Sequence, residues 1–147
     1  MVELPADTRR MIETPHIWYV ATINKDGSPH VSPMWLGLDG DLPLINTAIG
    51  RIKEQNLRRD PRICLSLADP ANPYDRVQIR GHAAHFIQGP KADQNMDRLA
   101  HAYVGTDHYE WRVPGEERVL ILIEPTKVRR VVGVEPFPGG TPGSTTP

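Results

Sequence analysis

Apolar side chains crowd into Ile17-Trp18-Tyr19-Val20-Ala21-Thr22-Ile23, a β-branched and aromatic run that predicts a strand. Asn24-Lys25-Asp26-Gly27-Ser28 follows and contains Asp-Gly, a hairpin signal because glycine adopts the positive φ that tight turns need. A second strand is expected over residues 29–38, Asp39-Gly40 turns the chain again, and residues 42–47 complete an antiparallel meander. Further strands are expected at 62–68, 76–87, 118–124 and 127–134, the last two parted by Pro125-Thr126. Gly81, inside the run 76–87, marks a bulge or a close backbone approach.

Three segments carry a helical pattern instead. Residues 5–14 predict a short helix ended by Pro15, and residues 50–60 predict one stopped at Asp60-Pro61. In residues 90–104, Met96, Leu99, Ala100 and Tyr103 share one apolar face, and Gly105 suits the C-terminal cap. From Pro136 the chain is Pro, Gly, Ser and Thr with one Phe, so a domain over 1–135 and a disordered tail over 136–147 are expected. Consecutive hairpins argue for an antiparallel sheet, and about seven strands hide their edges best by closing into a barrel. The fold class expected is mainly β, with a few short helices.

The length, 147 residues, fits one domain, and 39% apolar with 24% charged residues fits a globular protein. The formal net charge of −1 argues against a nucleic-acid or membrane-surface binder. Any basic site must be local. Cys64 is the only cysteine, so neither an internal disulfide nor a thiolate metal cluster can form. Lying between Ile63 and Leu65, it reads as a buried structural thiol, which fits a reducing compartment. No signal-peptide pattern opens the chain and no run approaches ~18 apolar residues, so a cytoplasmic location is expected.

The six histidines show no metal-ligand pattern. His82 and His85, three apart on an expected strand, point to opposite faces, and His101 and His108 lack matched carboxylates, so no metal is expected. Neither a Ser-His-Asp arrangement nor a Rossmann glycine loop is present. Trp18 reads as core. Trp35 reads as a pocket wall or as plain packing, Trp111 as a cover or an interface residue, and Tyr74 as a pocket-edge candidate.

The densest local signal is the segment 51–62, with five basic residues (Arg51, Lys53, Arg58, Arg59, Arg62) against the acidic Glu54 and Asp60. A strand leading through Gly50 into a helix start offers free backbone N–H groups and a dipole that favours an anion. Arg51 and Lys53 in the first turn disfavour the helix itself, a cost that makes sense with a phosphate between them. A solvated helix face accounts for the same composition.

The stretch Thr47-Ala48-Ile49-Gly50-Arg51-Ile52-Lys53-Glu54-Gln55-Asn56-Leu57-Arg58-Arg59-Asp60-Pro61-Arg62 resembles the phosphate-binding segment of the pyridoxamine-phosphate-oxidase-like flavin-binding split barrels. Within that family it is most similar to the branch using the deazaflavin coenzyme F420. Val20-Ala21-Thr22 followed by Asp26-Gly27-Ser28-Pro29-His30-Val31-Ser32-Pro33-Met34-Trp35 resembles the family's first hairpin. Arg76-Val77-Gln78-Ile79-Arg80-Gly81-His82-Ala83 and Gly115-Glu116-Glu117-Arg118-Val119-Leu120-Ile121 resemble later elements, and the likeness runs in order from about residue 10 to 134.

The resemblance implies an antiparallel split β-barrel of the FMN-binding-protein kind, forming a homodimer with cofactor sites at the interface. It implies that Arg51 and Lys53 contact the cofactor phosphate, with Asn56 supporting that loop. Thr47 and Ala48 would line the strand beneath the ribityl chain, and Ser32, Pro33, Met34 and Trp35 would face the ring system. The implied activity is F420-dependent hydride transfer with a conjugated small-molecule substrate (an enone, quinone or tetrapyrrole), without a dedicated acid–base pair, so no catalytic residue is assigned. Arg58, Arg59 and Arg62 are candidates for the coenzyme's polyglutamate tail. The alternatives are an FMN-dependent pyridoxamine-phosphate-oxidase-like enzyme and a non-catalytic carrier of cofactor or haem, for which His16 or His30 would be the axial ligand.

Overall fold

The computed structural model describes residues 1–132. Strands β1 (Trp18–Ile23), β2 (Pro29–Met34), β3 (Gly37–Asp39), β4 (Leu42–Ala48), β5 (Arg62–Ala68), β6 (Arg76–Ile87) and β7 (Arg118–Val131) form one antiparallel sheet. Helices α1 (Ala6–Glu13), α2 (Ile52–Arg59) and α3 (Pro90–Val104) complete the fold. The expected tail, 136–147, and the end of the strand expected over 127–134 lie outside the described residues.

The sheet order is β2-β1-β5-β6-β7-β4-β3. Its two outermost strands are the two halves of the single strand expected over 29–38, joined only through Trp35 and Leu36. A sheet whose edges are tied by so short a link must curl on itself, which makes the fold a split β-barrel. The three-stranded meander is therefore corrected: β2 pairs with β1 and β3 pairs with β4, but β2 and β4 do not meet. At the break the Leu36 N–H donates to the Tyr103 hydroxyl at 3.0 Å, and that hydroxyl donates to the His16 carbonyl at 2.6 Å. A residue of α3 thus satisfies backbone groups that the pairing switch leaves open.

The two strands expected around Pro125 are one. Arg80 pairs with Lys127 and Gly81 with Pro125, so Thr126 bulges out between them and its hydroxyl donates to the Arg80 carbonyl at 3.2 Å. Proline lacks a ladder donor, and the bulge removes the need for one.

Trp18, Val20, Leu65, Ile79 and Ile121 fill the barrel interior, with Ile12 of α1 and Leu57 of α2 packed onto it. A smaller cluster, including Leu44, Leu99 and Leu120, lies beneath α3. Buried Asn46 of β4 fastens that helix by donating to the Ala92 carbonyl at 2.8 Å and the Asn95 side chain at 3.0 Å. Among the described residues no helix is long and apolar enough to cross a membrane.

Candidate functional site

A cavity of about 520 Å³ opens between β2, β4, the start of α2 and the inner face of α3. It falls within the size range of small-molecule sites. Arg51, Lys53 and Arg118 bring positive charge to its wall, and Trp35, Tyr109 and Trp111 bring aromatic surface.

The cationic part is built locally. β4 ends at Ala48, Gly50 turns the chain with φ 90°, and α2 starts after Arg51, which makes no side-chain cap. The first N–H groups of α2 have no partner within the helix. Glu54 is buried, accepts the Gly50 N–H at 3.0 Å and pairs with Arg58, which fixes the turn. The Lys53 ammonium donates to Ser32 Oγ at 3.1 Å, and burial, then neighbouring Arg51, holds its pKa below the ordinary lysine value. Among the described residues no carboxylate pairs with it.

The aromatic part is assembled over distance. Trp35 stacks on Tyr103 with centroids 5.2 Å apart and meets Tyr109 and Trp111 edge-on at 6.3 and 6.5 Å. Tyr109 and Trp111 lie on the strap between α3 and β7. Asp97 of α3 tethers it, accepting the Tyr109 N–H at 2.8 Å and the Arg112 guanidinium at 2.8 Å.

Of the residues expected at a cofactor site, Pro33, Met34, Trp35, Thr47, Arg51 and Lys53 line the cavity. Ser32 lies behind the wall as the Lys53 acceptor. Ala48 is buried and does not line it. Asn56 is also off the wall: its amide donates to Thr22 Oγ1 and Asn24 Oδ1, each at 3.0 Å, bracing α2 against the β1–β2 hairpin. Trp35 both packs and walls the cavity, whereas Tyr74 and the histidines do not line it.

Arg58, Arg59 and Arg62 do not line the cavity either. Arg58 pairs with Glu54 and covers Phe86, Arg59 donates to the Ile23 carbonyl, and Arg62 pairs with Asp60. Cys64 is half-buried, and burial pushes its thiol pKa up. Among the described residues no group of three or more His, Cys, Asp or Glu side chains is placed to hold a metal.

Sequence reasoning missed Asn46, Tyr109 and above all Arg118 as wall residues. Arg118 is 7% exposed, donates from Nε to Asn46 Oδ1 at 3.0 Å, pairs through Nη1 with Glu116 and lies 5.4 Å from the Tyr109 ring. The available signal was a charge heading the apolar run Val119-Leu120-Ile121-Leu122-Ile123, because a buried charge must be paired or used.

A family model described as pyridoxamine 5'-phosphate oxidase matches residues 4–132. An F420 reductase shares 27% identity over 86% of this chain and 98% of its own, with a TM-score of 0.74. A conserved hypothetical protein from Mycobacterium tuberculosis shares 22% identity over 89% of this chain and 86% of its own, at TM-score 0.68. A heme binding protein from Mycobacterium smegmatis shares 20% over 88% of this chain and 55% of its own, at TM-score 0.61. The latter two likenesses show the fold alone. No curated protein matches the chain. With the family model spanning nearly all of the described barrel, the chain belongs to the pyridoxamine 5'-phosphate oxidase family.

Proposed function

We propose that the chain is an F420-dependent oxidoreductase, a cytoplasmic homodimer built from one cofactor-binding domain over 1–135. It moves hydride between the reduced deazaflavin and a conjugated small molecule of the enone, quinone or tetrapyrrole type. The observation that carries this reading is the meeting of a cationic helix start and an aromatic wall in one cavity of about 520 Å³. A phosphate needs the first feature and a planar ring the second. The 27% identity to an F420 reductase over most of both chains supports the deazaflavin.

Arg51, Lys53 and the first N–H groups of α2 hold the phosphate, and Ser32 keeps the Lys53 ammonium aimed at it. Thr47 faces the polyol with Ala48 backing the strand, Asn56 braces the turn, and Pro33, Met34 and Trp35 flank the ring. The bound deazaflavin supplies the hydride chemistry, and the protein orients it and excludes water. Arg58, Arg59 and Arg62 are engaged elsewhere and are not part of the site. Tyr19 and Val31, 56% and 63% exposed on the outer sheet face, support burial of that face against a second copy.

Equilibrium titration with F420 and with FMN tests the reading. Micromolar binding of F420, tighter than FMN, is expected. Preference for FMN favours the alternative oxidoreductase, suggested by the family's description, and binding of neither sinks both. Absence of turnover on a panel of enones, quinones and tetrapyrroles, despite tight binding, favours a carrier.

The strap gives a second expectation. The Tyr109 N–H bond lowers the Asp97 pKa most, and with Arg112 it outweighs the opposing effect of burial, holding the carboxyl below its ordinary 3.8. A depressed folded pKa means that the tether is complete above that ordinary value and is lost as pH falls through the lower, folded one. Asp97→Asn therefore loosens the strap at neutral pH. Cofactor binding should weaken about threefold to tenfold, and acrylamide should quench tryptophan fluorescence more strongly. Wild type should reach that quenching only in acid. Unchanged quenching in the variant at pH 7 counts against the tether.

A further inference from the structure

We propose that Glu116, beside the cavity wall, is an internal carboxylate competitor for the cationic anion seat, holding Arg51 until a phosphate takes that guanidinium from it. This rests on the reading of the seat given above. Glu116 lies between two guanidinium groups: one oxygen pairs with Arg118 Nη1 and the other stands 3.4 Å from Arg51 Nη2. The two contacts are unequal. The Arg118 and Glu116 side chains are 6% and 12% exposed and closely paired, whereas Arg51 is 53% exposed at the end of a long contact. Arg118 is also pinned to Asn46 by a bond of 3.0 Å.

Glu116 cannot easily retreat. Its N–H donates to the Val113 carbonyl at 3.0 Å, and the adjoining Glu117 carbonyl accepts the Ile49 N–H at 2.9 Å, stitching this turn to the chain just ahead of Arg51. Burial pushes the Glu116 carboxyl up, but Arg118 and Arg51 together outweigh it and hold the pKa below the ordinary value. The group is therefore ionised at neutral pH. Arg51 is the member free to move, and an arriving anion must both displace the carboxylate and tolerate its charge. Such a seat selects phosphate esters over weaker anions, because only a ligand with several strong acceptor oxygens engages Arg51, Lys53 and the helix N–H groups together.

The test compares Glu116→Gln with wild type using two ligand pairs: FMN with riboflavin, and F420 with the ribityl deazaflavin left when its phosphate and tail are removed. The variant should bind the phosphorylated member roughly threefold to tenfold more tightly, with the phosphate-free member unchanged. Unchanged or weaker binding of the phosphorylated members by the folded variant overturns the proposal and makes Glu116 a positioning residue for Arg51. Glu116→Asp guards against loss of the buried partner of Arg118. One methylene shorter, it keeps a carboxylate charge beside Arg118 and lengthens a contact with Arg51 that is already 3.4 Å, so it should tighten phosphate-ester binding about twofold to threefold. An unchanged FMN-to-riboflavin ratio in this variant also overturns the proposal. If wild type shows no preference for the phosphorylated member of either pair, the seat itself falls, and the competitor with it.

Discussion

Replacing Arg51 and Lys53 together with alanine should weaken binding of the phosphorylated cofactor by about 2–4 kcal/mol, a loss of roughly thirtyfold to a thousandfold. Each charge-assisted hydrogen bond is worth ~1.5–3 kcal/mol, and two cations serving one phosphate do not add fully. Lys53 should contribute the larger share. Arg51 is half engaged with Glu116, whereas the Lys53 ammonium has only the Ser32 hydroxyl and its charge is disfavoured by burial and by Arg51. A bound phosphate reverses that penalty. Arg129→Ala with Arg130→Ala is the control. Both residues lie on β7 away from the cavity, and Arg130 is tied to Asp7 at 3.2 Å and to the Arg76 carbonyl at 3.1 Å. Their removal should touch stability and leave affinity alone. Equal affinity losses from the two pairs, measured by the same titration, would put the phosphate somewhere else.

The parts of this molecule legible in the sequence are those set by neighbours in the chain. The helix expected over 90–104 and the strands over 62–68 and 76–87 match α3, β5 and β6 because periodicity and turn residues are local signals. The cationic turn was visible for the same reason. What could not be read is the change of partner at Trp35 and Leu36. Barrel closure demands it, yet the residues around it look like one uninterrupted strand. Pro125 misled in the opposite direction, since a missing N–H reads as a break unless the bulge at Thr126 is known. The site divides along the same line. Arg118 and Asn46, joined by a hydrogen bond across 72 positions of the chain, meet only because β4 and β7 pair. Tyr109 joins them only because Asp97 holds its strap.

Gly81→Ala should destabilise the folded chain by about 1–2 kcal/mol net, lowering the thermal midpoint by roughly 2–8 °C. Two effects oppose each other here. Alanine restricts the unfolded chain and would stabilise by ~0.4–1 kcal/mol where the native backbone accepts it. Gly81 has no positive φ, so its backbone raises no objection to a side chain. Space does. A Cβ at this position would be driven against the Glu124 carbonyl oxygen and would stand 3.1 Å from both the Glu124 carbonyl carbon and Ile123 Cγ2. Two of those atoms are backbone of the paired strand, which cannot swing aside as a flexible side-chain tip can. Overpacking of this kind costs about 1–3 kcal/mol, occasionally more, so it outweighs the entropy gain. The damage should also reach the site. Relieving the contact means parting β6 from β7 at the bulge, and β7 begins at Arg118 and pairs with the β4 segment that carries Asn46 and Thr47. Thermal unfolding followed by circular dichroism reads the first effect, and cofactor affinity well below the new midpoint reads the second. A midpoint equal to or above wild type would mean that the strands have room to part at Gly81, and that the bulge at Thr126 is looser than its hydrogen bonding implies.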